Sequence, residues 1–231
     1  VAAEAARLVV TPRGTKSLDV GCGPGRFCLI GATQTDGEFT GIEQRKDLVA
    51  AARRAVAGLG LRNVTILRGN VLDLSFAPYD GFYLYNPFEE NSDAGHRIDA
   101  KVPLSMDLLK KCARHVAHQL GLKPMGTRVV TYAGYADEIP GCYDCISTAF
   151  DDDLKLWIKT REYDPALDRL GLATSRSYRG SAGWVPPRRA GQGRLRREGR
   201  THQFPAQLAC AKQQVSSALE ETRHAREQPR R

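Results

Sequence analysis

The chain is short of several features that define broad protein classes. No apolar run approaches the roughly 18 residues a membrane-spanning helix needs, so no membrane association is expected. The first ten residues carry Glu4 and Arg7 and are too short to form a secretory leader. Residue 1 is Val rather than Met, which fits a fragment or a processed start alike. Six cysteines scattered over 231 residues do not make a disulfide scaffold, and a reducing, cytoplasmic setting is the default expectation. The lone C-x-x-C, Cys142-Tyr143-Asp144-Cys145, has no second pair to complete a zinc site. His115 and His118 sit three apart with no obvious third ligand, so no metal is expected. There is no internal repeat.

What remains has ordinary globular proportions: 42% hydrophobic and 26% charged residues, with a mean hydropathy of −0.40. The length suits one α/β core plus an appendage. The net charge of +8 is unevenly placed. Residues 1–163 hold 20 Lys and Arg against 20 Asp and Glu, whereas residues 164–231 hold 14 against 6. The basic pI therefore reports a tail and not an active-site surface. Two domains follow: a folded domain over 1–163 and a basic low-complexity tail over 164–231. Within the tail, Ser175–Arg200 is rich in Gly, Arg, Ser and Pro and cannot bury enough surface to offset chain entropy, so disorder is expected. Pro205–Gln228 carries Leu208, Val215 and Leu219 at helical spacing, a helix (205–228) that is marginal unless it docks. The arginines suit nonspecific nucleic-acid contact through phosphates. With only Tyr178 and Trp184 interleaved, a base-stacking platform is not expected, and a merely solvated tail is the plainer alternative.

Before residue 163, short apolar strands alternate with amphipathic helices. Strands are expected at Ser17–Val20, Glu38–Glu43, Val64–Leu67, Gly81–Tyr85 and Arg128–Tyr132. A helix begins at Phe27–Ala32. Another covers Gln44–Ala57, with Leu48, Ala51, Ala52, Ala55 and Val56 on one side and Gly58 as its stop. Leu104, Leu108, Cys112 and Val116 recur every four residues and mark a third helix. Cys145–Phe150 and Leu154–Lys159 flank Asp151-Asp152-Asp153 as a closing hairpin. Such alternation argues for a mostly parallel sheet covered on both faces.

The segment most informative about chemistry is Leu18-Asp19-Val20-Gly21-Cys22-Gly23-Pro24-Gly25. A strand that must turn sharply into a helix while a ligand lies on its backbone needs glycines, because side chains there would collide with the ligand. The spacing is G-x-G-x-G, not the G-x-G-x-x-G that sets a pyrophosphate on a helix N-terminus. Asp19, just before the turn, is placed to meet a ligand's cationic group. Together these disfavour a nicotinamide dinucleotide and favour S-adenosyl-L-methionine.

This segment resembles motif I of the class I S-adenosylmethionine-dependent methyltransferases, and the resemblance continues in order from Ser17 to about Lys159. It implies a Rossmann-like, doubly wound, mostly parallel seven-stranded sheet closed by an antiparallel hairpin. Phe39-Thr40-Gly41-Ile42-Glu43 looks like the end of that family's second strand, where Glu43 would accept hydrogen bonds from both ribose hydroxyls. Arg68-Gly69-Asn70-Val71 matches the stretch that contacts adenine, with Asn70 where the family commonly has Asp. The resemblance thus implies a cofactor site of Asp19, Gly21, Cys22, Gly23, Gly25, Glu43, Gln44, Asn70, Val71 and Asn86. Tyr85-Asn86-Pro87-Phe88 falls at motif IV, beside the transferred methyl. There Asn86 is expected to orient the acceptor while Phe88 and Tyr85 shape the catalytic pocket.

Amino-group methyltransferases acting on adenine or glutamine have an Asn/Asp-Pro-Pro-aromatic tetrad at that place, and this chain lacks one proline. The acceptor therefore stays open. A small molecule is the leading reading, with a protein lysine or nucleic-acid nitrogen as alternatives. A non-catalytic cofactor-binding module and a nicotinamide-dependent oxidoreductase stand behind them. Glu89 and Glu90 would either attract a cationic acceptor or simply form a solvated loop.

Overall fold

Seven strands form one sheet in a computed structural model that describes residues 1–92, 97–133 and 138–166. All of these lie within one unit, Val1–Thr174. The helix expected over 205–228, like the tail after residue 166, lies outside the described residues.

In chain order the elements are α1 (Ala2–Val9), β1 (Lys16–Val20), α2 (Arg26–Gln34), β2 (Glu38–Glu43), α3 (Lys46–Leu59) and β3 (Val64–Arg68). They continue with β4 (Gly81–Tyr85), α4 (Met106–Gly121), β5 (Arg128–Tyr132), β6 (Tyr143–Ala149) and β7 (Leu154–Lys159). The sheet order is β3-β2-β1-β4-β5-β7-β6. The first five strands run parallel, and β7 lies antiparallel between β5 and β6. This is the Rossmann-like α/β architecture with its closing hairpin.

The strands alternate sides with the two-residue period of an extended chain. Leu18, Val20, Phe82, Leu84 and Val129 face the layer of α4, where they meet Phe76, Val116 and Leu120. Phe39, Tyr83 and Val130 face the opposite layer, against Ala5, Val9, Phe27, Val49 and Ala52 of α1, α2 and α3. Both faces are covered, which is why even Ser17 and Asp19 of β1 and Thr131 of β5 are buried.

The departures from the expected elements have local causes. The short helix α1 was not anticipated from the sequence. It lies at the beginnings of β4 and β5, where Arg128 Nε donates to Leu8 O at 2.6 Å and a Cβ at Gly81 would stand 2.7 Å from Val9 Cγ1. Helix α3 begins at Lys46 rather than Gln44 and runs through Gly58. It stops at Gly60, whose φ of +63° lets its N–H turn back onto the Ala57 and Val56 carbonyls. Helix α4 is held at its start by Ser105, whose hydroxyl accepts from Leu108 N–H at 3.1 Å.

Two buried lysines fasten the far end of α4. Lys159 Nζ donates to Gly121 O at 2.6 Å and Lys123 O at 2.7 Å. Lys123 Nζ in turn donates to Phe76 O and Ala77 O, both at 3.1 Å. A cation on the last carbonyls of a helix satisfies orphan acceptors and opposes the helix dipole. Lys159→Met should leave those carbonyls unpaired and lower unfolding stability by about 1–3 kcal/mol, read by urea denaturation.

Candidate active site

The bend after β1 is built from three residues with left-handed backbone: Gly21, Gly23 and Gly25 have φ of +72°, +53° and +84°. The N–H groups of Gly21 and Cys22 both donate to Ile42 O at 3.0 Å, which seats the bend on the end of β2. Two of the glycines are hemmed in by the protein itself. A Cβ at Gly21 would lie 3.1 Å from Pro87 Cβ, and one at Gly25 would lie 3.2 Å from Ala52 Cβ. Gly23 differs, because a Cβ there would meet nothing within 4 Å. It stands on the open flank of the bend, where bare backbone is accessible to a ligand. Gly41 has a separate reason to be glycine: a Cβ would fall 2.6 Å from Cys22 Sγ and 3.2 Å from Cys28 Sγ.

Glu43, at the end of β2, meets this bend directly. Its Oε2 accepts from Gly23 N–H at 3.1 Å and its Oε1 from Arg45 N–H at 2.8 Å. Burial raises its pKa, while the N–H groups of Arg45 and Gly23, the Arg45 charge and the Gln44 backbone pull it back down. A carboxylate offers about four acceptor positions, and these two hydrogen bonds use half of them. The other half suits a vicinal diol. Gln44 is half-buried. One residue after β3, Gly69 N–H donates to Glu43 O at 3.1 Å, which brings Asn70 alongside.

Asp19 is 3% exposed and points towards α2, where Cys28 Sγ donates to its Oδ2 at 3.6 Å. Burial is the main reason its pKa is pushed up to about 7, and the Glu43 charge adds to the rise. Cys22 places its Sγ 3.7 Å from Gly23 O, and burial pushes its thiol pKa far up, so it is a packing residue and not a nucleophile. Asn70 spends one lone pair of its amide oxygen on Leu72 N–H at 3.0 Å, starting a 3-10 turn at Val71–Asp73 in which Val71 is buried.

After β4 the chain turns at Asn86, whose φ of +42° is left-handed. Pro87 then packs under Gly21, so the motif IV segment and the bend share a wall. Tyr85 is 58% exposed and meets Tyr132 edge to face, with ring centroids 5.1 Å apart. Phe88 is buried in the α4-side core with Val20 and Leu84. The expected residues therefore divide. Gly23 is bonded to Glu43, Pro87 next to Asn86 packs on Gly21, Gly25 lies against Ala52, and Gly69 next to Asn70 is bonded to the Glu43 carbonyl, whereas Asp19, Cys22, Val71 and Phe88 are buried.

One residue of the site escaped the sequence reading. Arg45 is 5% exposed, and its guanidinium forks onto both oxygens of Glu90 at 3.0 and 2.6 Å. Glu90 is thus neither a solvated loop residue nor a free attractor for a cationic acceptor. The only sequence signal was a cation two residues beyond Glu43, which spacing alone does not connect to Glu90. The histidines have structural partners: His115 Nε2 lies 3.3 Å from Leu74 O, and His118 packs edge-on to Tyr163. Among the described residues no three His, Cys, Asp or Glu side chains cluster as a metal site would require, and no helix is long and apolar enough to cross a membrane.

Residues 12–90, from before β1 to just beyond motif IV, match the family model described as a methyltransferase domain. Over this segment the chain is similar to methyltransferase domains, in line with the resemblance carried by the bend after β1. A demethylmenaquinone methyltransferase of Bacillus cytotoxicus is 30% identical over 115 residues, covering 49% of this chain and 45% of that protein. One from Bacillus cereus is 31% identical over 118 residues, with the same coverage of each. The chain thus spans a little under half the length of the curated relatives it matches. A crystal structure of an RNA methyltransferase from Salinibacter ruber, in complex with S-adenosyl-L-homocysteine, superposes with a TM-score of 0.51. At 18% identity it covers 71% of this chain and 93% of that one, and the likeness is one of fold.

The buried acid gives the methyltransferase domain a pH signature. Asp19 titrates higher folded than unfolded, so the folded state favours the neutral carboxyl. Its contribution is fully present below 3.8 and is lost as pH rises to about 7, with no further change above. Asp19→Asn cannot titrate there. The stability of the variant relative to the parent should therefore climb across that window and then level off, as read by urea unfolding at a series of pH values.

Proposed function

We propose that the chain is an S-adenosyl-L-methionine-dependent methyltransferase acting on a small-molecule acceptor. The observation that carries this reading is the pairing of Gly23 with Glu43. An open flank of bare backbone stands 3.1 Å from a carboxylate that keeps half its acceptor capacity. Those residues fit a nucleoside whose ribose hydroxyls reach Glu43 while its amino-acid arm lies along Gly21–Gly25. Asn70 and Val71 would border the adenine, and Asp19 would lend charge from beneath the bend.

When bound, S-adenosyl-L-methionine supplies a methyl group already activated by its sulfonium. The chain's own task is alignment and exclusion of water. Asn86, in a left-handed turn beside the bend, would orient the acceptor through its side-chain amide. Tyr85 would offer its exposed ring to the acceptor, and buried Phe88 would stiffen the turn from within the core. A strong general base is not required for a neutral amine or softened hydroxyl.

The curated relatives are named as demethylmenaquinone methyltransferases, which favours a small molecule over a protein or nucleic acid. The sheet order β3-β2-β1-β4-β5-β7-β6, ending in an antiparallel hairpin, counts against the dinucleotide reading, whose usual order is 3-2-1-4-5-6. A cytoplasmic setting is part of the proposal, supported by five free cysteines among the described residues.

Calorimetric titration with S-adenosyl-L-homocysteine should show binding to the parent chain. Glu43→Ala, which removes charge-assisted hydrogen bonds, should weaken it by about 10- to 100-fold. Gly23→Leu, which fills the open flank at a left-handed position, should abolish it. Undiminished binding by both variants would sink the site assignment. A tritiated-methyl assay on fractionated extract should place the label in small molecules, and label in protein or nucleic acid would redirect the acceptor.

A further inference from the structure

Arg45 links three separate parts of the chain. Its backbone N–H donates to Glu43 Oε1 at 2.8 Å. Its guanidinium grips both oxygens of Glu90, and its Nε lies 3.3 Å from Asp99 Oδ1. Glu90 lies two residues beyond Asn86-Pro87-Phe88, and its Oε2 also accepts from Ile98 N–H at 3.0 Å. Asn91, next in line, donates to Phe88 O at 3.1 Å and accepts from Ser105 N–H at 3.1 Å. The segment after β4 is thereby fixed at both ends and joined to the turn after β2.

Such a contact is unusual for a loop. Exposed ion pairs between loops contribute little, whereas a buried guanidinium forked onto a carboxylate is directional and pays a desolvation cost. Neither Glu90 nor Asp99 lies on a strand of the sheet, and Arg45 lies outside both apolar cores. The fork therefore orders loops at the site and adds nothing to sheet packing.

We infer that Arg45 is a positioning residue: its fork onto Glu90 and Asp99 fixes the Glu43–Arg45 turn, so that the Glu43 carboxylate is set for a ribose by the segment carrying motif IV. The inference rests on the reading of Glu43 as the ribose acceptor. Its consequence is coupling. Occupation of the nucleoside site and docking of the motif IV segment each favour the other by the same factor.

The test is a double-mutant cycle on the full chain, with S-adenosyl-L-homocysteine affinity read by calorimetry and melting temperature read alongside. Glu90→Gln, which touches no residue assigned to the ligand, should weaken binding about tenfold. In a Glu43→Gln background the same change should cost less than about twofold. Equal losses in both backgrounds, or a lowered melting temperature with unchanged affinity, overturn the inference. If the Glu43→Gln background binds too weakly to titrate, the ligand itself supplies the second arm. Glu90→Gln should then reduce the preference for adenosine over 2′,3′-dideoxyadenosine in competition, and an unchanged preference overturns the inference. A parent chain that binds none of these nucleosides defeats the proposed function itself. Additive losses in a parent that binds defeat only the role of Arg45.

Discussion

The hydrogen bond from Gly23 N–H to Glu43 Oε2 joins the two halves of the candidate site. It links a bend after β1 to the last residue of β2, twenty positions on in the chain yet adjacent because the two strands pair in parallel, with Val20 opposite Ile42. Everything around it serves to hold that juxtaposition. Ile42 O takes two N–H groups from the bend, Gly41 leaves room for Cys22, and Ala52 of α3 closes against Gly25. Without the bond, the buried Glu43 carboxylate would lose a partner in surroundings where that is costly.

The central strand order extends the arrangement across the sheet. Because β1 lies between β2 and β4, the bend is flanked by Glu43 on one side and by the Asn86-Pro87 turn on the other. Pro87 packs under Gly21 and so sets the distance between the two. A crevice at the carboxyl ends of parallel strands, where adjacent connections diverge, is the general location for ligands in open α/β sheets. Here the switch lies between β1 and β4.

Burial is the main electrostatic influence on the two carboxyl groups beside the bend. It pushes Asp19 up to about 7 and raises Glu43, which backbone N–H groups and the nearby Arg45 pull back down. Arg45 is a deeply buried cation at this opening, and it is committed to Glu90 and Asp99.

The linear sequence was enough to determine the strand–helix alternation, the bend and the acid twenty residues beyond it. Each is encoded locally: a two-residue apolar period, glycines that must reach left-handed backbone, an acidic strand end. Even so, local signals misplaced the end of α3, since Gly58 is tolerated inside the helix and only Gly60 adopts the conformation that ends it. The helix α1 was not legible because its eight residues gain their meaning from packing at the starts of β4 and β5. Tertiary structure alone decided that Glu90 pairs with Arg45, that Phe88 packs inward, that Asp19 is buried against Cys28 and that Gly23 is the open glycine of the three. Those outcomes depend on which side chains meet between different elements, nine residues apart for Asp19 and Cys28 and 45 apart for Arg45 and Glu90, or on which face a backbone turns outward, and no spacing rule along a single strand or helix carries that information.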